Sequence, residues 1–415
     1  MKIEKMSGKR KGLVSWLLLS IFFLAAIQIL GLFLISDPVE GPDPKEYLTL
    51  SGNVFHGKGY SLSGLIQRED PVRTRQPVYP LFLILFYWLP GGKLLFVQLA
   101  QFVLHGLTFF LVFLIARDTF GDELWAGTIV ALAIYFPLWL TSAFVSTECV
   151  FSFFIALSMF VFWKALKSGR GLWPLILSGT CLGLMFLTRP AGLALPFLSF
   201  FTLWYHFGFR KAFLRWGVIV TAFLVVLFPW FLRNVISLNE YTAFSAEGGH
   251  GVWEASLENE RRGVDGEMVM SYSPPPEIQA VARARGYCDH SPEVKKLYIQ
   301  EAIENVKKAP FSYLARGIAR VAWVWSYFPG SRIFYKNSLV FGLFSLVQIF
   351  LLLFAAIGFY FVLGPKERTY YLLPVLALTF PLLFHAARSR YIIASMPFVI
   401  VVAGQGLYYL RKKLF

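Results

Sequence analysis

The chain has 415 residues, 57% of them hydrophobic and 18% aromatic, and a mean hydropathy of +0.59. A soluble domain of that length cannot hide so much apolar surface, and long runs nearly free of charge call for a bilayer as solvent. The formal charge of +15 is spread over short loops between apolar runs, as membrane topology distributes it, so no nucleic-acid partner is needed to explain it. Three cysteines (Cys149, Cys181, Cys288) without CxxC spacing indicate neither a metal knuckle nor a disulfide framework.

The basic start MKIEKMSGKRKG precedes an apolar run of roughly twenty residues, too long for a signal-peptide core and without a small-residue cleavage site; it reads as a retained signal anchor. Candidate spans follow at 13–35, 93–116, 124–143, 149–167, 172–188, 191–207, 213–232, 337–363, 369–386 and 391–410. The pair 172–188 and 191–207 is short, and the aromatic run 311–328 is ambiguous. YPLFLILFYWL (79–89) suits a helix lying at the interface. Basic clusters at Lys9–Arg10–Lys11, Lys164–Lys167–Arg170, Arg210–Lys211–Arg215, Lys366–Arg368 and Arg411–Lys412–Lys413 fall on one side of this count, which puts both termini in the cytoplasm.

The expected fold is an all-α polytopic membrane protein. A transmembrane domain over 13–410, of about 10 helices, carries an outer cap made of two long loops, 36–78 and 233–336. A cytoplasmic basic N-terminus (1–12) and basic tail (411–415) flank it. Within the second loop, Ser291-Pro292-Glu293 marks a helix start and Pro310 a break between two helices.

On the outer side stand arginines that the positive-inside bias would not place there: Arg73 and Arg75, Arg189 in FLTRPAGLALP, Arg233, and Arg388 with Arg390. Each sits at a span end. One arginine there can simply snorkel to the headgroups. A set from four separate regions suggests a shared anion, and phosphate suits it because guanidinium forks grip phosphate oxygens in pairs. Asp43, Glu46 and Tyr47 follow the first span, and Glu148 stands at the mouth of the fourth. Such a carboxylate can act as general base or, for Asp43 and Glu148, ligate a divalent cation. The plainer readings are a helix N-cap for Asp43 and a helix-start charge for Glu148. Lys58 lies in a Gly-Lys-Gly stretch that is either a phosphate cradle or, more simply, a turn. His250, in EGGHG, is a solvated loop side chain or an acceptor contact. Tyr87, Trp88, Trp323, Trp325 and Tyr327 fit an interfacial belt better than a sugar-stacking surface.

In order, the chain carries DPKEY (43–47), GKGYS (57–61), RQPVYPLFL (75–83), TE (147–148), LTRP (187–190), PWFLRN (229–234) and RSRYIIASMPF (388–398). Together these resemble the multi-spanning C-type (GT-C) glycosyltransferases that draw on a polyprenyl-phosphate sugar, a group including protein O-mannosyltransferases and lipid A aminoarabinose transferases. The resemblance runs from about Leu13 through the membrane domain. It departs from the family in one place: Pro44 and Lys45 separate the first-loop acids Asp43 and Glu46, where paired acids are usual. The resemblance implies an inverting transfer of sugar from a polyprenyl-phosphate donor to an acceptor hydroxyl on the extracytoplasmic face of the inner or plasma membrane. It makes Asp43 the general base. Arg75, Arg233 and Arg390, followed by Arg189 and Arg388, become the donor-phosphate ligands, and Glu46, Tyr47, Lys58, Tyr79, Glu148, Asn234 and His250 supporting contacts. The partners implied are the lipid-linked donor, a lipid, glycan or protein acceptor, and the bilayer; the one cofactor in question is a divalent cation.

Three other classes compete. A transporter or flippase would place ionisable groups near the bilayer midplane, where the span LLFVQLAQFVLHGLTFF offers only Gln98, Gln101 and His105. A non-catalytic assembly subunit would tolerate Asp43→Asn. A ligase or polymerase using a lipid-pyrophosphate glycan would share the same outer cations.

Overall fold

The computed structural model describes residues 38–39, 42–64, 75–89, 93–121, 135–169, 171–239, 241–244, 248–257, 276, 280, 292–326, 338–386 and 389–414. Among these the chain is helical, with only single bridge residues at Ser61 and Ser63. The helices are α1 (Pro42–Phe55), α2 (Val78–Ile84), α3 (Lys93–Phe120), α4 (Phe136–Leu140), α5 (Glu148–Ser168), α6 (Trp173–Phe186) and α7 (Ala194–Phe207). They continue as α8 (Phe209–Leu238), α9 (Gly248–Ser256), α10 (Pro292–Lys308), α11 (Pro310–Ser326), α12 (Ser338–Ile357), α13 (Pro365–Thr379) and α14 (Met396–Leu414).

Among the described residues, five stretches are long and apolar enough to cross a membrane: Leu94–Phe120, Glu148–Ser168, Phe209–Leu238, Gly342–Val362 and Arg390–Leu414. The protein is an integral membrane protein. The expected span 13–35 and most of 124–143 lie outside the described residues. The expected short pair appears as α6 and α7, of 14 residues each. The break at Pro310 falls where expected, between α10 and α11, and the ambiguous run 311–328 is a helix to Ser326.

Membrane solvent inverts the usual amphipathic pattern, and α3 shows how. Leu95, Phe96, Leu99, Val103, Leu107 and Phe110 are exposed, whereas Gln98, Gln101, His105 and Thr108, spaced three or four apart, are buried. Lipid is as apolar as leucine, so no hydrophobic gain pulls the aliphatic face inward. Polar groups turn in because hydrocarbon offers them no partner. Here the partners are the carbonyls freed where α4 breaks into a 3₁₀ turn at Thr141–Ala143. Gln98 Nε2 donates to Ala143 O at 2.7 Å, and Gln101 Nε2 donates to Ser142 O at 3.0 Å and Phe144 O at 2.7 Å. His105 Nε2 meets Thr141 Oγ1 at 2.9 Å. The turn so held leads directly into Glu148.

With no hydrophobic pull between spans, association depends on close dispersion contact, which small residues permit. Gly179 and Gly183 on α6, four apart, face Ile219 O and the Val226 side chain on α8. A Cβ at Gly183 would lie 2.6 Å from Val226 Cβ. Gly358 and Gly406 do the same at the crossing of α14 with the π-helical continuation of α12, each against a carbonyl of the other element (Val402 O and Phe354 O). The main core, with Phe186, Phe223, Trp163 and Tyr370 among its members, gathers around these contacts.

Candidate active site

Asp43 and Glu46 lie three apart in α1, so Pro44 and Lys45 do not separate them in space: both carboxylates share one helix face with Tyr47. Arg75 reaches that face from the segment before α2. Its Nη2 donates to Asp43 Oδ1 at 2.7 Å and its Nε to Glu46 Oε2 at 2.8 Å. Its guanidinium also lies 5.2 Å from the Tyr47 ring centre. Tyr79 is fully buried behind Tyr47, edge-on at 5.0 Å, with its hydroxyl donated to Gln101 Oε1 at 2.7 Å. Tyr79 thus holds Tyr47 from behind and joins the site to the polar stripe of α3.

Arg390, at the start of the 3₁₀ stretch Ser389–Ser395 that leads into α14, bridges two acids. Its Nη2 donates to Asp43 Oδ2 at 3.4 Å, and its Nε stands 4.0 Å from Glu148 Oε1. Glu148 opens α5 with its side chain 7% exposed, and the same Oε1 accepts from Arg189 Nη1 at 2.7 Å. Arg189 precedes Pro190 in the tip between α6 and α7; its backbone is extended, as a residue before proline prefers. Its guanidinium lies over the Tyr391 ring at 5.0 Å, and its Nη1 also reaches Thr147 Oγ1 at 3.5 Å.

The result is a continuous ladder, Glu46–Arg75–Asp43–Arg390–Glu148–Arg189, in which three guanidinium and three carboxylate charges alternate and cancel. It draws on five separate chain segments. For Asp43, burial pushes the carboxyl up, but Arg75, Arg390 and Arg189 in that order pull harder and hold it below the usual carboxylate range. Asp43 therefore stays ionised and, at 36% side-chain exposure, is the most open of the three ladder carboxylates. It is not the N-cap of a helix starting at Pro44, because α1 already begins at Pro42 and Asp43 lies inside its first turn.

Arg233 stands apart from the ladder. Its guanidinium lies 4.8 Å from the Trp230 ring centre and 5.3 Å from that of Tyr60, donating to Asn234 Oδ1 at 3.0 Å and to Tyr60 O at 3.4 Å. Tyr60 in turn donates its hydroxyl to Arg75 O at 3.0 Å, so Arg233 meets the ladder through one tyrosine. Asn234 is fully buried, with Nδ2 on Thr242 O at 2.8 Å. Lys58 is exposed. The amides of Gly57 and Lys58 are spent on Val54 O and Asn53 O, and Gly57 and Gly59 take positive φ, so the Gly-Lys-Gly stretch is a turn closing α1 and not a cradle. His250 sits in helix α9 instead of a turn, its Nδ1 3.0 Å from Glu254 Oε1, packed on Trp253 and Tyr298 of the α9–α10 pair. Of the expected belt, Tyr87 turns inward, donating to Leu48 O at 2.9 Å, and Trp325 Nε1 donates to Thr379 Oγ1 at 3.1 Å; Trp88 is 79% exposed. Arg73 and Arg388 lie outside the described residues.

The structure adds Tyr60, Thr147 and Tyr391, which lie within GKGYS, TE and RSRYIIASMPF, and Gln101, which the sequence marks only as a polar group within a span. For Gln98, Gln101, His105 and Thr108 the three-to-four spacing was the available signal. Asp43 and Glu148 are each taken by two arginines, and among the described residues no three His, Cys, Asp or Glu side chains converge.

Residues 72–232, well under half of the chain, match the family model described as dolichyl-phosphate-mannose-protein mannosyltransferase. No curated protein sequence matches. Among solved structures, the chain is similar to the Archaeoglobus fulgidus oligosaccharyltransferase tethered to an acceptor peptide, at 13% identity and a TM-score of 0.52 over 95% of this chain and 50% of that one. This chain thus spans half the length of that enzyme, and the likeness is one of fold. A second match is ArnT from Cupriavidus metallidurans bound to undecaprenyl phosphate, at 16% identity and a TM-score of 0.47, covering 95% of this chain and 78% of that one. The family model and the fold bear out the GT-C resemblance read from the motifs.

Proposed function

We propose that this protein is a membrane glycosyltransferase that moves a sugar from a polyprenyl-phosphate donor to an acceptor hydroxyl, with inversion, at the extracytoplasmic end of its helix bundle. The observation that carries the proposal is the shared ladder: Arg75 and Arg390 both hold Asp43, the most exposed of the three ladder carboxylates. Around it we place about 10 spans, a cap from loops 36–78 and 233–336, and both termini in the cytoplasm.

In this mechanism the donor's phosphodiester, with one negative charge, lies against Arg75, Arg390 and Arg189. The acceptor hydroxyl attacks the anomeric carbon from the face opposite the phosphate. As the new C–O bond forms, the bond from that carbon to the phosphate oxygen breaks and the electron pair leaves with the phosphate. The acceptor proton passes to Asp43. The phosphate gains one negative charge while Asp43 loses one, so the total charge of the site is constant through the step. Arginines shared between the two can follow the charge from carboxylate to phosphate without rearranging the bundle. Phosphate binding also draws the arginines partly off Asp43, which raises its proton affinity at the moment a base is needed.

The test is transfer of radiolabelled sugar from synthetic polyprenyl-phosphate sugars by the purified protein, with membrane lipids, glycans or proteins as acceptors. The expected result is transfer that depends on Asp43 and Arg75. No transfer from any such donor, with Asp43→Asn and Arg75→Ala indistinguishable from wild type in cells, would overturn the proposal. The polar groups within α3 give the transporter reading no support, since Gln98 and Gln101 are spent on the 142–144 carbonyls.

A further inference from the structure

Helix α11 is built inside out. Phe311, Leu314 and Ile318 are exposed at 87%, 47% and 58%, while the buried side carries Tyr313, Gly317, Arg320 and Val324. Arg320 is 2% exposed, which makes it the most deeply placed charge outside the ladder among the described residues. Its guanidinium spans the ends of two other helical elements. Nη1 donates to Ala255 O at 2.9 Å, in the last turn of α9. Nη2 donates to Leu383 O at 2.8 Å and Nε to Leu382 O at 3.4 Å, at the end of the 3₁₀ stretch Phe380–Leu383 that extends α13. Such terminal carbonyls lack intrahelical partners and carry the negative end of the helix dipole, so a fixed cation there offsets much of its own burial.

The surrounding contacts fasten the same stretch at every step. Trp325 Nε1 donates to Thr379 Oγ1 at 3.1 Å, and Tyr313 donates its hydroxyl to Phe384 O at 3.1 Å. Ala386 N donates to Gly251 O in α9 at 2.9 Å. Gly317 admits Leu383 O so closely that a Cβ there would lie 2.6 Å away. The stretch held in this way, 379–386, is followed in the chain by Arg390 and Tyr391, the ladder arginine and the ring under Arg189.

We propose that Arg320 is a positioning residue for the transfer. By tying α9 and α11 to the end of α13, it fixes the approach of the segment that sets Arg390 between Asp43 and Glu148. It touches no reacting atom; it acts through Arg390, and this rests on the phosphate-binding reading of that residue. A displacement of Arg390 of the order of 1 Å lowers turnover on the order of 10- to 100-fold.

A double-mutant cycle with a structural readout tests it. Arg320→Gln is expected to lower kcat on the order of 10- to 100-fold with a smaller change in donor KM, and to leave Arg390→Ala nearly unchanged when combined with it, because the effect it transmits is already gone. Hydrogen exchange in Arg320→Gln is expected to speed up in 248–256 and 379–395 and to stay the same in α5 and α6. Equal fold losses in the wild-type and Arg390→Ala backgrounds, or exchange that rises throughout the protein, would reduce Arg320 to general stability. Should Arg320→Gln fail to fold, Arg320→Lys, which keeps the charge but not the three-pronged geometry, takes its place in the cycle with the same expectations at smaller size. Local exchange changes in Arg320→Gln, together with a wild-type protein that transfers no sugar, would sink the transferase reading and leave the mechanical link standing.

Discussion

The molecule holds two buried polar arrays side by side, and they are wired differently. Along α3, Gln98 and Gln101 donate to fixed carbonyls of the 142–144 turn, bonds between neutral groups, and His105 Nε2 meets Thr141 Oγ1. In the ladder, by contrast, Arg390 is shared by Asp43 and Glu148, and Asp43 by Arg75 and Arg390. The first array fixes a shape. The second can pass a partner to an incoming anion, because its four inner members, Arg75, Asp43, Arg390 and Glu148, already divide their charge. Tyr79 joins them, its hydroxyl on Gln101 and its ring behind Tyr47. The comparison says where function and stability should separate under mutation.

The largest effect is expected at Asp43. Asp43→Asn removes the proton acceptor, keeps one oxygen to accept from an arginine and turns an amide N–H2 toward the other, lowering kcat on the order of 10²- to 10⁴-fold. The same residue sets a pH signature. Its carboxyl is held below the ordinary aspartate value of about 3.9, so the rise of the free enzyme's kcat/KM with pH should have its midpoint below that pH. The acid limb of kcat should lie higher, because bound phosphate competes for the arginines. Coincident limbs in the two profiles would argue that Asp43 and the donor do not share them.

Next comes Arg390→Ala, expected to lower turnover on the order of 10²- to 10³-fold as one fixed cation leaves the developing phosphate. Arg233→Ala should cost less, about tenfold, comparable to one lost charge-assisted bond, because Arg233 is linked to Arg75 through Tyr60. A loss equal to that of Arg390→Ala would move Arg233 into the ladder and erase the distinction drawn here. Gln101→Leu should reverse the pattern. Thermal unfolding in detergent should show a loss of roughly 1–3 kcal/mol, since Tyr79 and two carbonyls lose their partner, while turnover per folded molecule falls less than in any ladder variant.

Much of the ladder was legible in the sequence because membrane topology has parity. Residues that close an outgoing span or open an incoming one must share a side, so Asp43, Glu148, Arg189 and Arg390 could be grouped before their distances were known. What hydropathy cannot show is rotation about a helix axis. Lipid-facing and core-facing aliphatic side chains look alike in sequence, so the inward Arg320 did not announce itself, and the inward stripe of α3 is marked only by the spacing of its polar residues. Local geometry hid two more points. Asp43 and Glu46 look separated by Pro44 and Lys45, yet one helical turn brings them together on Arg75. Arg233 looks equivalent to the other arginines until Trp230 and Tyr60 are seen on either side of it. His250 reads as part of a glycine-rich turn, but packing against Tyr298 and the Glu254 contact one turn on make that stretch a helix.

The shortness of α6 and α7 has a consequence for the membrane itself. Fourteen residues give about 21 Å of helix against a hydrocarbon layer of ~30 Å. A hairpin of that length with its open end at one surface would leave its tip, and Arg189 with it, short of the other. A charge there would draw headgroups and water toward it and thin the leaflet locally. A lipid-linked phosphate would then meet the arginines by sinking with its own headgroup layer, without leaving the leaflet. Bilayer thickness becomes a variable of the reaction: turnover in vesicles should rise as acyl chains shorten toward the length of the hairpin.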